Sequence, residues 1–498
     1  MGKRMPIFYS ALLLTGVNLM LRFVSTSFQV YLSGKIGAAG IGLLQLVLSV
    51  GALAITLGMG GIRTATMYLC AEVVGRKKHE NMIWVLSGCI LYSLVLSLSV
   101  SAALYTFAPR IAAGWVGNGE VTGVIRLLSC FLPVNCLCGV MVGYYTGINR
   151  IGTLAVVEGA EQIFSMTLTI LLLRFWAGHN VIRACYGVIM GSGLGACFTL
   201  FILLVLKSKD RNQSGKRISV RKQLWETAVP LAMADDIKAG ISTTENLMVP
   251  KRLALYPGEY APLATFGMIC GMVFPVLMFP AAILFGLAEL LIPEIARCNA
   301  AGSRQRIFHL AERSLLLALL FGCFCGGILF LSAESLCVKF YQTPEAGKYL
   351  RWFSVLAPML YCDTIVDAIT KGLGQQKLCV RYNILTSAMD VVLLFVLLPR
   401  YGIQGYFFSF LITHLLNFIL SIRLLLKLAG KVIVFYRVAF ALIAVVCGVF
   451  AGLLASGIRQ TLYFGAVFCA LIMLLGVVDK NDFSWFKRLL VPYSKQVH

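Results

Sequence analysis

About fourteen stretches of this chain are each long and apolar enough to cross a bilayer, and short loops join them. A spanning helix needs roughly 20 mostly apolar residues, whereas a barrel strand needs only about 10. Hydrocarbon offers the backbone no water to bond, so only helices and closed barrels can cross it. The runs here are far too long for strands. The sequence therefore predicts an all-α polytopic membrane protein, with helices over about residues 6–32, 41–70, 82–108, 122–147, 152–174, 181–207, 224–250, 262–292, 306–332, 348–372, 378–399, 403–427, 432–456 and 460–478. The first run, behind Lys3 and Arg4, has the look of a signal peptide. It continues past Arg22 without a small-residue cleavage site, and we read it as the first membrane helix.

The loops give the orientation. Lys and Arg fall mostly on every second connection: Arg76, Lys77 and Lys78; Arg150; Arg297, Arg304 and Arg306; Lys371, Lys377 and Arg381; Arg423, Lys427 and Lys431. Cytoplasmic loops carry such an excess, so these connections and both termini are placed inside. Lys251 and Arg252 fall outside on this count and need a reason beyond topology. A net charge of +22 would suggest nucleic acid in a soluble protein. Here 59% of the residues are hydrophobic and the basic ones sit in short loops, so the charge reads as topology and contact with anionic lipid, with no nucleic-acid partner.

The longest inside segment, KSKDRNQSGKRISVRK, runs from Lys207 to Lys222 and reads as a flexible basic linker between two halves. The halves are alike at an offset of about 225 residues, as in internally repeated transporters. Ala39 then meets Ala264, Gly42 meets Gly267, Gly61 meets Gly286, Ala71 meets Ala296, Pro133 meets Pro358 and Gly147 meets Gly372. We expect an N-terminal six-helix lobe over 1–207, the linker over 208–222, a C-terminal six-helix lobe over 223–428, and an additional helix pair with a tail over 429–498. Six helices per repeat is an even number, so both repeats insert the same way up.

Charge inside a membrane costs a few kcal/mol per residue on insertion scales, and it usually faces a polar cavity or a partner. Arg22 lies mid-way along the first helix and Arg63 in the inner half of the second. Glu158 and Glu161 are on the fifth helix, Asp235, Asp236, Lys238 and Glu245 on the seventh, Asp363, Asp367 and Lys371 on the tenth, and Asp390 on the eleventh. Asp235, Lys238, Ser242 and Glu245 follow the helical period and form one stripe. Glu158 and Lys371 lie near helix ends, where reaching to the interface suffices. For Arg22, Arg63, Asp235 and Lys238 the cavity is the better reading. The simplest geometry has the first and seventh helices face each other across an aqueous cleft.

No phosphate-binding loop, nucleophile elbow or metal-ligand spacing is present, and the loops are too short for a catalytic domain. The 16 Cys fall mostly in apolar runs and read as small buried hydrophobes. Enzyme chemistry and a bound cofactor are not expected. A transporter coupled to H+, Na+ or membrane potential fits better.

Several segments go beyond hydrophobicity. They are GYYTGIN at Gly143–Asn149, VVEGAEQI at Val156–Ile163, ENLMVPKRL at Glu245–Leu253, PLATFG at Pro262–Gly267, LIPEIA at Leu291–Ala296, KGLGQQ at Lys371–Gln376 and LPRYGIQG at Leu398–Gly405. In this order the chain resembles the multidrug/oligosaccharidyl-lipid/polysaccharide exporter superfamily, in its polysaccharide-biosynthesis and spore-protein branch, which is related to the lipid II flippases. That resemblance implies two six-helix lobes, alternating access, a bacterial plasma membrane, and a substrate of sugar on an undecaprenyl-type lipid diphosphate. It also implies that the last two helices line a groove for the lipid tail. Arg22 and Arg63 look like the cleft arginines of that family.

The leading expectation is a flippase for lipid-linked oligosaccharide or peptidoglycan precursor, acting as a monomer. Arg22, Arg63 and Lys238 would bind phosphate, and Glu161, Asp235, Asp236, Glu245, Asp363, Asp367 and Asp390 would serve as cleft or coupling acids. The alternatives are a cation-coupled multidrug antiporter, favoured by the surplus of acids, and a non-transporting scaffold for envelope or spore assembly. The topology is tested by cysteine labelling of intact cells in a Cys-free background. A cysteine at Ser214 should stay unlabelled by an impermeant reagent, and labelling from outside would overturn the orientation.

Overall fold

The computed structural model describes residues 7–75, 82–178, 180–208, 221–430 and 435–478. Most of the basic linker, the Arg76–Lys78 loop, Lys431 and the tail from residue 479 lie outside the described residues. Among the described residues the regular structure is entirely helical. In order, the helices are α1 Ile7–Met59, α2 Ile62–Gly75, α3 Met82–Arg110, α4 Thr122–Gly147, α5 Ile151–Leu172, α6 Val181–Ser208, α7 Arg221–Leu253, α8 Pro262–Met268, α9 Phe274–Met278, α10 Ala282–Ala300, α11 Arg304–Tyr341, α12 Pro344–Ser354, α13 Ala357–Gly372, α14 Gln376–Ala429, α15 Phe435–Leu453 and α16 Ile458–Leu474.

Helices occupy the fourteen expected positions, but several are divided differently. A straight helix of 53 residues would be about 80 Å long, far beyond the roughly 30 Å of hydrocarbon. α1 is instead two spans broken at Gly37 (φ 70°), and α14 is two spans broken at Gly402 (φ 57°). Only a residue without Cβ adopts such angles readily. The eighth span is bent by 63° between α8–α9 and α10, and the tenth by 56° between α12 and α13. α7 does not pass as an apolar span at all. It carries four charges between Asp235 and Glu245, so neighbouring helices must shield it from lipid.

The chain forms two compact units. One comprises Lys35–Leu255 and Glu259–Gly267, and the other Met1–Gly34, Tyr256–Gly258 and Met268–His498. These do not coincide with 1–207 and 223–428. α7 packs with the N-terminal repeat: Thr243 Oγ1 donates to Ser49 O at 3.1 Å, Asn246 Nδ2 donates to Ser49 Oγ at 3.0 Å, and Trp225 stands edge-on to Tyr92. The first half of α1 packs with the C-terminal repeat, where Gln29 Nε2 donates to Gly271 O at 3.2 Å and Phe23 meets Phe279. A boundary of duplication in sequence is therefore not the boundary of packing.

Within the N-terminal unit, helix backbones touch at glycines. Gly139, Gly143 and Gly147 form an i, i+4 stripe on α4 against the second span. A Cβ at Gly143 would collide with the Arg63 carbonyl, and one at Gly147 would lie 2.7 Å from Met67 O and 2.8 Å from Cys70 Cβ. Small residues drive such contacts in membranes, where lipid is as apolar as any side chain. In the C-terminal unit a Cβ at Gly372 would lie 2.9 Å from Ile292 O and 2.8 Å from Ile295 Cβ. These partners are the positions that the sequence repeat pairs with Met67 and Cys70, so the repeat preserves a contact as well as a spacing. Gly42 and Gly267, also paired by the repeat, face each other: a Cβ on Gly42 would strike Leu263 O, and one on Gly267 would strike Ala38 O.

The added pair packs on α11 in the C-terminal unit. Leu316, Cys323 and Leu331 of α11 bury against Ala441 and Ala444 of α15 and Phe464, Phe468 and Ile472 of α16. Lys251, unexplained by topology, donates to Gly114 O in the helical turn Ile111–Val116 that follows α3. A cation there offsets the unpaired carbonyls of a helix end.

The glycine contacts give a stability prediction. Gly143→Val should cost about 1–3 kcal/mol through overpacking. Gly152→Val, where an added carbon meets nothing within 4 Å, should cost less than about 1 kcal/mol. Thermal unfolding of the purified protein in detergent measures both, and equal losses would refute a load on the α2–α4 contact.

Candidate transport site

The second span is interrupted at Gly60 and Gly61, with φ values of 46° and 69°, before α2 begins. Tyr92 of α3 donates to Gly60 O at 3.2 Å and ties down this break. Arg63 follows in the first turn of α2, and Gly143 of α4 holds its backbone from behind. The stripe of α7 lies alongside. Together they enclose a cavity of about 410 Å³ lined by Thr56, Met59, Gly61, Arg63, Thr64, Asp235, Lys238, Ala239 and Ser242. Thus Arg63, Asp235, Lys238 and Ser242 are brought together within one unit. Arg63, Asp235 and Lys238 are exposed, and among the described residues no ion pair joins them to another side chain.

Polar groups extend from this cavity in three directions. Toward α5, the Arg63 charge acts on Glu158, Glu158 interacts with Glu161, and Thr199 Oγ1 donates to Glu161 Oε2 at 2.6 Å. Toward α3, half-buried Asp236 interacts electrostatically with Tyr92, and its Oδ1 is buried without a hydrogen-bond partner. Toward the C-terminal end of α7, a second cavity of about 270 Å³ is lined by Gln45, Leu48, Ser49, Ala52, Ala239, Ser242, Thr243 and Asn246. Half-buried Glu245 lies on the same helix.

The remaining predicted residues belong to the other unit. The Arg22 guanidinium stands 5.5 Å over the Phe285 ring, just past the bend of the eighth span. Asp363 accepts from Asn417 Nδ2 at 3.1 Å, while Asp363 Oδ1 and Asn417 Oδ1 are buried without donors. Asp367 pairs with Lys371 at 2.5 Å. Asp390 is 7% exposed and its Oδ1 accepts from Ser409 Oγ at 2.6 Å and Thr413 Oγ1 at 3.1 Å, tying the two halves of α14. His414 stacks on Phe410 beside this group.

Sequence reasoning centred on charge missed Gln45, Ser49, Thr56 and Thr64 of the second span, Asn246 of α7, and Asn417. The signal was present. Gln45, Ser49, Ala52, Thr56 and Arg63 recur at helical spacing inside an apolar run, so they share a face. No group of three or more His, Cys, Asp and Glu among the described residues could hold a metal ion.

A multi-pass helical bundle with unpaired charge around a membrane-embedded cavity is the architecture of a membrane transporter. No protein-family profile matches the chain. It is 25% identical to stage V sporulation protein B of Bacillus subtilis over 472 residues, which cover 90% of this chain and 88% of that protein. Its fold matches the solved structure of a lipid II flippase in an inward closed conformation, with a TM-score of 0.67 and 14% identity, over 97% of this chain and 100% of that one. It also matches an inward-facing multidrug resistance transporter of the MATE family, with a TM-score of 0.65 and 14% identity, over 84% of this chain and 98% of that one. The chain is thus similar in sequence to a spore protein and in fold to a lipid II flippase and to a multidrug transporter of the MOP superfamily.

Removing the α7 cation breaks no ion pair among the described residues. Lys238→Leu should therefore change stability by less than about 1 kcal/mol, while transport falls about tenfold or more through loss of a charge-assisted bond. Yield and melting temperature read against transport decide this, and loss of folded protein would make Lys238 a structural residue.

Proposed function

We propose that the chain is a flippase that moves a lipid-linked saccharide across the bacterial plasma membrane by alternating access. The observation that carries this reading is the cavity at Arg63, Asp235 and Lys238. It holds two cations against one carboxylate, inside a membrane bundle, with no ion pair of their own among the described residues. Keeping such charge in place is costly unless a ligand uses it. A diphosphate cannot enter hydrocarbon unaided, because buried charge must be paired, and guanidinium and ammonium groups bind phosphate oxygens through charge-assisted bonds. Arg22, in the other unit, is a further candidate cation for phosphate. Arg63 lies in the turn that follows the Gly60–Gly61 break.

The tail requires an apolar path. A cavity of about 400 Å³ lies between α11, α13, α14 and α15, lined by residues such as Leu315, Leu319, Met359, Phe418, Val438 and Leu442, with Glu312 and Arg437 also contributing. α15 belongs to the added pair, so the extra helices supply one wall of an apolar groove. Polyprenyl tail binding there, both termini in the cytoplasm, and a monomeric state are parts of the proposal.

The multidrug antiporter remains the second reading. Its support was the surplus of acids, but Asp367 pairs with Lys371, Asp390 is held by two hydroxyls, and Asp363 by Asn417. Among the described residues, the two cavities beside α7 are lined by no aromatic residue that could stack on a planar organic cation. Coupling is assigned to Asp363 and Asn417: the Asp363 carboxylate can take up H+, or its free oxygen and that of Asn417 can ligate Na+.

The test is transport in vesicles by wild type and Arg22→Lys at matched protein levels, with a lipid-linked sugar and with an organic cation. Guanidinium grips phosphate bidentately and stacks on rings, and ammonium does neither as well. Arg22→Lys should slow sugar-lipid flipping roughly tenfold and leave cation transport unchanged. Unchanged flipping, or a loss confined to the cation, rejects the assignment. Gradients imposed on the same vesicles read the coupling, and Asp363→Asn should remove the response.

A further inference from the structure

The groove beside α7 changes character along its length. Its Arg63 end is charged, whereas the cavity lined by Gln45, Ser49, Ser242, Thr243 and Asn246 has no formal charge. Ala239 and Ser242 line both cavities, so the two lie side by side along α7.

In the neutral part, internal hydrogen bonds fix some groups and spare others. Ser49 Oγ donates to Gln45 O at 2.8 Å and accepts from Asn246 Nδ2 at 3.0 Å, and Thr243 Oγ1 donates to Ser49 O at 3.1 Å. These bonds set the Asn246 amide. Among the described residues, no hydrogen bond reaches the Asn246 carbonyl oxygen, the Gln45 side-chain amide or the Ser242 hydroxyl. The groove thus presents an acceptor, an amide that both donates and accepts, and a hydroxyl that does both. Leu48, Ala52 and Ala239 complete the wall with apolar carbon.

We propose that this neutral cavity is a saccharide subsite that holds the first sugar ring beside the diphosphate bound at Arg63 and Lys238, an inference that rests on the flippase reading above. Sugar hydroxyls donate and accept, as these side chains do, and the C–H face of a pyranose matches the apolar wall. A volume of about 270 Å³ lies just below the roughly 300–1,000 Å³ of drug-sized clefts, which suits one ring rather than an extended oligosaccharide. A site built of unpaired polar groups discriminates strongly against a ligand that lacks the matching hydroxyls.

The test uses the purified full-length protein and two probes, undecaprenyl diphosphate and the same lipid carrying one N-acetylglucosamine. Wild type should bind the sugar-bearing lipid about fivefold more tightly, the worth of one or two hydrogen bonds. Gln45→Leu and Asn246→Leu should each bring that ratio toward one. Asn246→Leu also removes the bond to Ser49, whereas the Gln45 side chain has no such bond to lose, so Gln45→Leu decides if the other variant fails to fold. A wild-type ratio near one, or a ratio unchanged in Gln45→Leu, overturns the subsite. Arg63→Gln should weaken both lipids alike. If it weakens neither, the flippase reading falls, whereas the ratio still reports on the subsite. If wild type binds neither lipid, both fall.

Discussion

The contact between the second span and α4 sets the geometry of the candidate transport site. Gly139, Gly143 and Gly147 let two backbones meet with no side chain between them, and Gly143 sits directly behind the Arg63 carbonyl. In hydrocarbon, close fit and hydrogen bonding hold helices together in place of the hydrophobic effect. The contact therefore fixes the turn that carries Arg63 immediately after the Gly60–Gly61 break. Tyr92 bonds the same break from α3. The two contacts set the backbone from which the Arg63 side chain projects.

The polar residues of this bundle divide into two kinds. In the C-terminal unit most have partners: Asp390 with Ser409 and Thr413, Asp367 with Lys371, Asp363 with Asn417, and Tyr361 with Leu277 O at 2.7 Å. Such bonds act as ties between helices. In the N-terminal unit, Arg63, Asp235, Lys238, Ser242 and Gln45 line adjacent cavities and leave much of their bonding capacity unused. Unused polarity in a membrane is costly, and it is tolerable only where a ligand or water supplies the missing partner. This division moves weight from the acids toward the cations, and hence from a cationic toward an anionic cargo.

The gross architecture was legible in the sequence, because bilayer thickness and the need to satisfy every backbone group leave little choice. Hydropathy located fourteen spans, and the repeat paired Gly147 with Gly372 and Gly42 with Gly267 before any contact was visible. The stripe of Asp235, Lys238 and Ser242 was also readable, since helical spacing alone places them on one face. Its partner stripe on the second span was overlooked, because Gln45, Ser49 and Thr56 are neutral and do not stand out against an apolar run.

Chain order could not say which helix packs with which. α7 opens the second repeat in sequence, yet it lies with the first repeat in space, held through Ser49, and the first half of α1 lies with the second. Spacing along one helix is a local property set by 3.6 residues per turn, so it is written in the sequence. Whether a charge meets a partner or a cavity depends on neighbours distant in the chain. Asp363 and Asp235 look alike as mid-membrane acids, and only packing separates the one beside Asn417 from the one beside an open groove.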